Sequence, residues 1–255
     1  MKTWVQCLAA LLMAWASVGV LAQPKIGAIG VYSFLGDGVD ITSADDKPRD
    51  TRIEATSRET LDFKNIGFDL IALRVARAAL QRQHPEARIL LYRAPTSMST
   101  DEQRKIAAGA AKAELPGWMV KTIEEGRLTH LLIITRNRGA MGARTGDGDT
   151  IGRGQVDGIG FYLDTLYTIR NSSTGALSTG LLAPYTQIKV QLMDAMSGDI
   201  VAAYDIRDSF AYGSPDTQAK ADPWNFMPIE QKIKVLRDMV EQGVQRAMPD
   251  ILGKR

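Results

Sequence analysis

Cysteine is almost absent from this sequence. Its 255 residues contain a single cysteine, Cys7, which lies in an apolar segment at the amino terminus. The rest of the chain therefore offers no disulfide, no thiol nucleophile and no thiolate metal ligand. Because Cys7 precedes the apolar run instead of following it, its position does not fit a lipoprotein anchor.

Histidine is also scarce, and the sequence lacks a motif that would expose a nucleophilic serine. The only histidines are His84 and His130; they do not form a His-x-x-x-His pair, and the sequence has no Gly-x-Ser-x-Gly. The block Leu35-Gly36-Asp37-Gly38 superficially resembles the Gly-Asp-Ser block of secreted lipase-like esterases, but Gly38 occupies the position of the nucleophile. These absences favour a protein that is not an enzyme, and they predict no cofactor and no metal ion.

Neither charge sign is in excess. The chain has 31 Lys and Arg against 29 Asp and Glu, which gives a formal net charge of +2. Nucleic-acid-binding proteins usually carry a clear basic excess, so the balance predicts that nucleic acid is not a partner. After residue 22 no apolar run approaches the roughly 20 residues that a membrane-spanning helix needs.

The amino terminus has the pattern of a signal peptide. Lys2 gives a basic start, an apolar run extends from Leu8 to Leu21, and small or apolar residues precede Gln23. Signal peptidase accepts such residues, so we expect cleavage between Ala22 and Gln23. The sequence predicts a signal peptide at 1–22, a single α/β domain at 23–255, and a periplasmic or secreted protein.

Hydrophobic periodicity predicts the elements of that domain. Apolar runs indicate buried strands at 26–34, 87–92 and 129–135, and alternation indicates further strands at 39–42, 53–63, 158–170, 185–193 and 200–206. Helical spacing indicates helices at 69–83 capped by Asp69, at 100–113, at 118–125 and at 228–248, the last ended by Pro249. We expect a mixed β-sheet flanked by helices, with 39–42 returning as a hairpin, a C-terminal β-hairpin and a long amphipathic C-terminal helix.

The glycine-rich segment 139–160 is the principal candidate site. Its charged residues are Arg138, Arg144, Arg153, Asp147 and Asp149. A phosphate cradle would lead into a helix, whereas this segment leads into a strand. A calcium loop would need a ligand at Ile151 and a closing Glu. Two interpretations stay open: a mobile surface loop, or a segment whose arginines bind an envelope protein or an anionic envelope polymer.

The first turn is the second candidate. Gly36, Asp37 and Gly38 are expected to be structural turn residues. Paired carboxylates could instead support hydrolysis, and several acids cluster near Asp37 in sequence: Asp40, Asp45, Asp46 and Glu54. A solvated group of surface acids explains the same cluster.

The order of these segments resembles a group of uncharacterised exported bacterial α/β proteins whose first strand ends in Ser-x-x-Gly-Asp, here Ser33, Gly36 and Asp37. It is more distantly similar to the envelope domains of curli-secretion-type lipoproteins and Tol-system periplasmic proteins. Their Val-x-Leu-x-Asp-x-x-Ser/Thr-Gly pattern is matched by Val190, Leu192, Asp194, Ser197 and Gly198. The resemblance implies an envelope location and no catalytic residue.

Two hypotheses follow. The first is a non-catalytic periplasmic protein that binds partners or assists envelope assembly. The alternative is a secreted hydrolase that uses loop carboxylates near Asp37, and it requires a pocket in which Asp37 meets a second carboxylate or His130.

Overall fold

The computed structural model describes residues 26–44, 56–63, 66–93, 100–108, 114–170, 177–213 and 222–253. The predicted signal peptide with its cleavage junction lies outside these residues, as do Asp45, Asp46 and Glu54.

The strands are, in chain order, β1 (Ala28–Phe34), β2 (Gly38–Ala44), β3 (Thr56–Asp62), β4 (Arg88–Arg93), β5 (His130–Arg136), β6 (Arg138–Ala140), β7 (Ala143–Arg144), β8 (Thr150–Ile151), β9 (Gln155–Asp157), β10 (Ile159–Arg170), β11 (Leu177–Asp194), β12 (Ile200–Ser209) and β13 (Tyr212–Gly213). The helices are α1 (Phe68–Gln83), α2 (Thr100–Ala108), α3 (Gly117–Gly126) and α4 (Ile229–Leu252), and Pro223–Phe226 form a 3-10 turn.

One mixed sheet organises the chain, in the order β3-β2-β10-β11-β5-β1-β4. β1 pairs in parallel with both β4 and β5, because helical crossovers return the chain to the same end of the sheet each time. β11 is antiparallel to β5 and to β12. The predicted mixed sheet and C-terminal hairpin are therefore confirmed.

Helices cover both faces of the sheet. On one face, α1 and α4 pack over an apolar cluster that includes Ile29 and Val31 of β1. On the other, α2 and α3 cover Tyr32 and Phe34 of the same strand. Successive side chains of a strand point to opposite faces, and both sets are apolar here because both faces are covered. No helix within the described ranges is long and apolar enough to span a membrane.

Two sequence-based expectations about the elements are wrong. β2 does not form a hairpin with β1; it pairs with β10 and β3, because both edges of β1 are already occupied by β4 and β5. Pro249 does not end the last helix, which continues to Leu252. Ile251 and Leu252 are buried against the core, and that packing outweighs the one backbone hydrogen bond that the proline cannot make.

The glycine-rich segment is also more ordered than its composition indicates. Its residues form a ribbon of two short antiparallel pairs, β6 with β9 and β7 with β8. Left-handed backbone at Gly148 and Gly152 is accommodated by glycine. We refer to residues 138–157 as the ribbon.

Candidate functional site

The turn after β1 is fastened to the start of α1. Asp69 accepts hydrogen bonds from Ser33 Oγ (2.6 Å), from Leu35 N (2.8 Å) and from Gly36 N (3.2 Å). Gly36 has φ of 61°, a left-handed conformation that favours glycine. The prediction that Asp69 caps its own helix is wrong, since the cap position is Gly67 and has no side-chain cap bond. Asp69 holds the preceding turn instead.

Asp37 adds a second link between the turn after β1 and the start of α1. Its Oδ1 accepts a hydrogen bond from Gly67 N at 2.8 Å. His130 lies far from it: Ile29 is the register partner of His130 and Phe34 that of Thr135, so the turn and His130 are separated by roughly 17 Å along the strands. Asp37 therefore does not meet His130, one of the two partners that the hydrolase hypothesis allowed. Asp37 and Asp69 instead bind backbone N–H groups.

A buried ionic cluster supports this end of the sheet. Asp40 of β2 is 1% exposed and accepts from Arg58 Nη2 (2.6 Å), Thr60 Oγ1 (2.6 Å) and Arg136 Nη1 (3.4 Å). Arg136 also donates to the carbonyl oxygens of Leu35 (2.6 Å) and Gly38. The guanidinium of the last residue of β5 therefore fastens β5 to the turn after β1 and to the start of β2, 96 to 101 residues away in sequence.

The charges of the cluster are mutually compensated. Burial lowers the pKa of Arg136, and Asp40 and Asp157 oppose that shift; an arginine nevertheless stays protonated because its ordinary value is so high. Burial also lowers the pKa of Arg58, but the hydrogen bond and charge of Asp40 outweigh it and raise the value. Burial raises the pKa of the nearby Tyr185 hydroxyl, so it stays neutral. Buried charge pairs of this kind position backbone segments.

Sequence reasoning missed Arg136 and treated Asp40 as one of several surface acids. A signal was present, because Asp40 falls within an alternating segment and Arg136 comes directly after the apolar run at 129–135. The pairing itself spans 96 residues and could not be found from local pattern.

The two histidines lie together at the opposite end of the sheet. His130 opens β5 and is 4% exposed, and His84 is 8% exposed, so both imidazoles are buried. Burial lowers the pKa of His130; Asp194, opposite it in the β5–β11 register, counters the shift, and His84 adds to it. Within the described part of the chain, no three His, Asp or Glu side chains could hold a metal ion.

The ribbon packs onto the sheet through one of its faces. Its inward residues Met141, Ala143, Ile151 and Val156 are buried together with residues of β10 and β11 that include Tyr162. The main chain is fastened as well, since Ala211 N donates to Arg144 O at 2.8 Å. The alternation of a two-residue period places the intervening side chains outward.

The structure separates the predicted binding residues. Arg138 and Arg144 are exposed on the outward face. Arg153 instead turns toward the buried carboxylate of Asp164, with Nη2 and Oδ2 3.9 Å apart. Asp147 and Asp149 lie at the exposed tip, where the backbone of Asp149 accepts a bond from Thr145 N (2.9 Å).

Comparison with known proteins gives little further information. No protein-family model matches the sequence, and no curated protein is similar to it. Among solved structures, a Helicobacter pylori homolog of neuraminyllactose-binding hemagglutinin has a TM-score of 0.39 at 10% identity and covers 90% of this chain and 86% of its own. Protein XCC0632 of Xanthomonas campestris, of family DUF330, has a TM-score of 0.38 at 10% identity, with 92% and 90% covered. Likenesses this low support no conclusion about function.

Proposed function

We propose that this chain is a non-catalytic binding module of the cell envelope, and that the outward face of its ribbon binds an anionic partner. The amino-terminal pattern of a signal peptide supports the location. The resemblance to curli-secretion-type and Tol-system domains agrees with that location and remains a prediction.

The observation that carries the proposal is that Arg138 and Arg144 are exposed and unpaired among the described residues. Both are exposed on the ribbon, and within the described ranges neither guanidinium has an ion-pair partner. Asp157 stands opposite Arg138 in register but pairs with Arg58, at 3.4 Å. Unpaired guanidinium groups bind carboxylate and phosphate through parallel N–H donors.

The construction of the ribbon favours binding. Its buried inward face fixes the backbone from which both arginines project. A preorganised backbone loses less conformational entropy when a partner binds, so more of the interaction energy appears as affinity. An unsupported loop with the same two arginines would bind more weakly.

The test is a charge reversal on the outward face. The double variant Arg138→Glu/Arg144→Glu should lose at least tenfold in binding to vesicles that contain anionic lipid, and in recovery of anionic polymer from envelope extracts. Arg77→Glu/Arg82→Glu is the matched control, because it changes the net charge by the same amount and both arginines are exposed on α1. Equal loss in the control would indicate only a net-charge effect, and unchanged binding in the double variant would refute the proposal.

Point substitution is preferable to deletion of the segment. Removing residues 142–154 would take Ala143 and Ile151 out of the buried cluster, and the exposed core of β10 and β11 would destabilise the fold. Loss of binding after such a deletion would not separate contact from unfolding.

A further inference from the structure

The far end of the β10–β11 hairpin extends beyond its neighbouring strands. β2 pairs with β10 only from Gly160 to Leu163, and β13 pairs with β11 only at Leu181 and Leu182. Farther along the hairpin, the described residues of the two strands pair only with each other. We call these residues, 165–170 and 177–180, the finger.

A bulge at the base of the finger is held by a buried carboxylate. Three residues of β10, 165–167, lie opposite Gly180 alone. Asp164 is 6% exposed, and its Oδ1 accepts hydrogen bonds from Leu166 N (3.0 Å) and Tyr167 N (3.1 Å). Bulges redirect side chains and recur at functional sites. Here the bulge fixes the backbone that carries Leu166 and Tyr167.

The side chains on this bulge are large, apolar and exposed. Leu166 is 59% exposed and Tyr167 38%, and Leu177 on the facing strand is 56% exposed. Every residue from 165 to 168 is exposed, so the core of the protein covers neither leucine nor tyrosine here. Apolar side chains grouped on one projection are typical of a surface that contacts a protein or a membrane.

The charge pattern of the hairpin favours a membrane. From Thr165 to Ile188 the sequence has no acidic residue, and Arg170 is its only basic residue, although 24% of the whole chain is charged. Carboxylates are repelled by a membrane surface that carries anionic lipid, and charged groups are costly among acyl chains. Tyrosine is enriched where water meets hydrocarbon, because its ring is apolar and its hydroxyl is polar.

The finger is continuous with the ribbon. Arg153 of the ribbon lies 3.9 Å from Asp164, the residue that holds the bulge. Arg144 forms a β-bridge with Phe210, which is 46% exposed and comes just before β13, the strand beside the base of the finger. A bilayer with anionic lipid offers phosphate groups to Arg144 and an apolar layer to the finger.

We propose that the finger inserts into the surface of a membrane that contains anionic lipid, with Leu166, Tyr167 and Leu177 at the boundary of headgroups and acyl chains. The proposal rests on the proposed function, because it takes the anionic partner of the ribbon to be a lipid headgroup. Removal of the three side chains from water adds affinity that the arginines alone do not supply.

Vesicle binding tests the insertion. The full chain is titrated with vesicles of equal parts phosphatidylglycerol and phosphatidylcholine. Leu166→Ser/Leu177→Ser should weaken binding at least tenfold, because two apolar side chains no longer leave water. Leu70→Ser/Met196→Ser is the matched control, since these side chains are 60% and 69% exposed outside the finger, and it should bind as the wild type does. All variants share one amino terminus, so its contribution cancels in the comparison.

A polarity-sensitive dye locates the contact. Coupled to Leu166→Cys in a Cys7→Ser background, the dye should brighten when vesicles are added, because it leaves water. Coupled to Met196→Cys in the same background, it should stay unchanged, since Met196 lies at the opposite end of β11 from the finger.

Three results would overturn the proposal: vesicle binding of Leu166→Ser/Leu177→Ser as tight as that of the wild type, a dye at position 166 that vesicles do not brighten, or brightening there by lipid-free envelope protein alone. Binding of soluble polyphosphate separates this proposal from the proposed function. The finger variant should bind polyphosphate as the wild type does, and Arg138→Glu/Arg144→Glu should lose it. Loss in the charge reversal together with full vesicle binding in the finger variant would keep the anionic partner of the ribbon and refute insertion.

Discussion

Gly160 shows how closely two strands approach beside the ionic cluster. It lies on β10, paired in parallel with Asp40 of β2. A Cβ at this position would overlap the carbonyl oxygen of Asp40 and would lie 2.7 Å from the Tyr185 hydroxyl. Backbone atoms of a central strand cannot move aside without disturbing the ladder, so only glycine fits.

We therefore expect Gly160→Ala to destabilise the protein by about 3 kcal/mol or more, measured by urea denaturation. Gly117→Ala is the matched control, because nothing lies within 4 Å of its added methyl group and alanine is the better helix former. A Gly160→Ala variant as stable as Gly117→Ala would contradict the β2–β10 pairing.

Arg136 and Arg58 share Asp40, but they are not equivalent. The Arg136 side chain is 20% exposed and that of Arg58 47%. Replacing Arg136 leaves a buried carboxylate with fewer partners and removes the donors to two carbonyl groups. We expect Arg136→Met to cost about 3 to 5 kcal/mol of unfolding free energy.

Arg58→Met serves as the comparison in the same denaturation experiment. Because solvent screens the exposed guanidinium, its loss should cost clearly less, about 1 kcal/mol. Equal losses would show that the two arginines contribute alike and would refute a central role for Arg136.

At the scale of elements, one lysine fastens the 3-10 turn to α4. Lys232 is 3% exposed, and its Nζ donates to the carbonyl oxygens of Trp224 and Met227, each at 2.5 Å. The same ammonium lies 4.1 Å from the centroid of the Trp224 ring, which in turn meets Phe161 of β10 edge-on at 5.6 Å. Burial lowers the pKa of Lys232, while Asp222 opposes that shift.

Lys232→Met should therefore release the 3-10 turn and cost about 2 to 3 kcal/mol, since hydrogen bonds to charged groups contribute most. Urea denaturation measures the loss of stability, and limited proteolysis of the folded protein at residues 222–228 measures the release of the turn. Lys234→Met, two residues away, removes only an exposed pair with Asp238 and should cost less than about 0.5 kcal/mol. If the turn of Lys232→Met resists the protease as well as that of the wild type, Lys232 does not hold the turn against α4.

At the scale of the whole molecule, the buried His130 predicts a pH dependence of stability. The folded chain holds the pKa of His130 below its ordinary value of 6.5, so the unfolded chain binds the proton more tightly. Stability should be fully present above pH 6.5 and decline as pH falls through the folded pKa of His130. Asp194, whose pKa is lowered mainly by the backbone N–H of Ser197, loses its contribution only below its ordinary value of 3.8.

Unfolding free energies measured from pH 7.5 to 5 check this prediction. His130→Gln should flatten the profile over that range, because the side chain no longer titrates. An unchanged slope in this variant would assign the dependence to groups other than His130.

The sequence by itself determined the types of the elements. The apolar run at 129–135 is β5, the helical spacing from Leu70 to Leu80 is α1, and the turn at 194–199 joins β11 and β12. These signals are local, because a period of two or 3.6 residues follows from the direction of neighbouring side chains alone. The mixed sheet, its flanking helices and the long last helix followed from their order.

Only the tertiary structure decided which elements meet. β2 does not pair with β1 because β4 and β5 occupy both edges of β1. Asp69 binds the turn that precedes its helix and does not cap the helix. α4 continues past Pro249 because Ile251 and Leu252 pack against the core. The pairing of Asp40 with Arg136 and the outward face of the ribbon likewise depend on register between distant strands. Such contacts depend on which strand edges remain free after the chain has folded back, and no pattern within one segment carries that information.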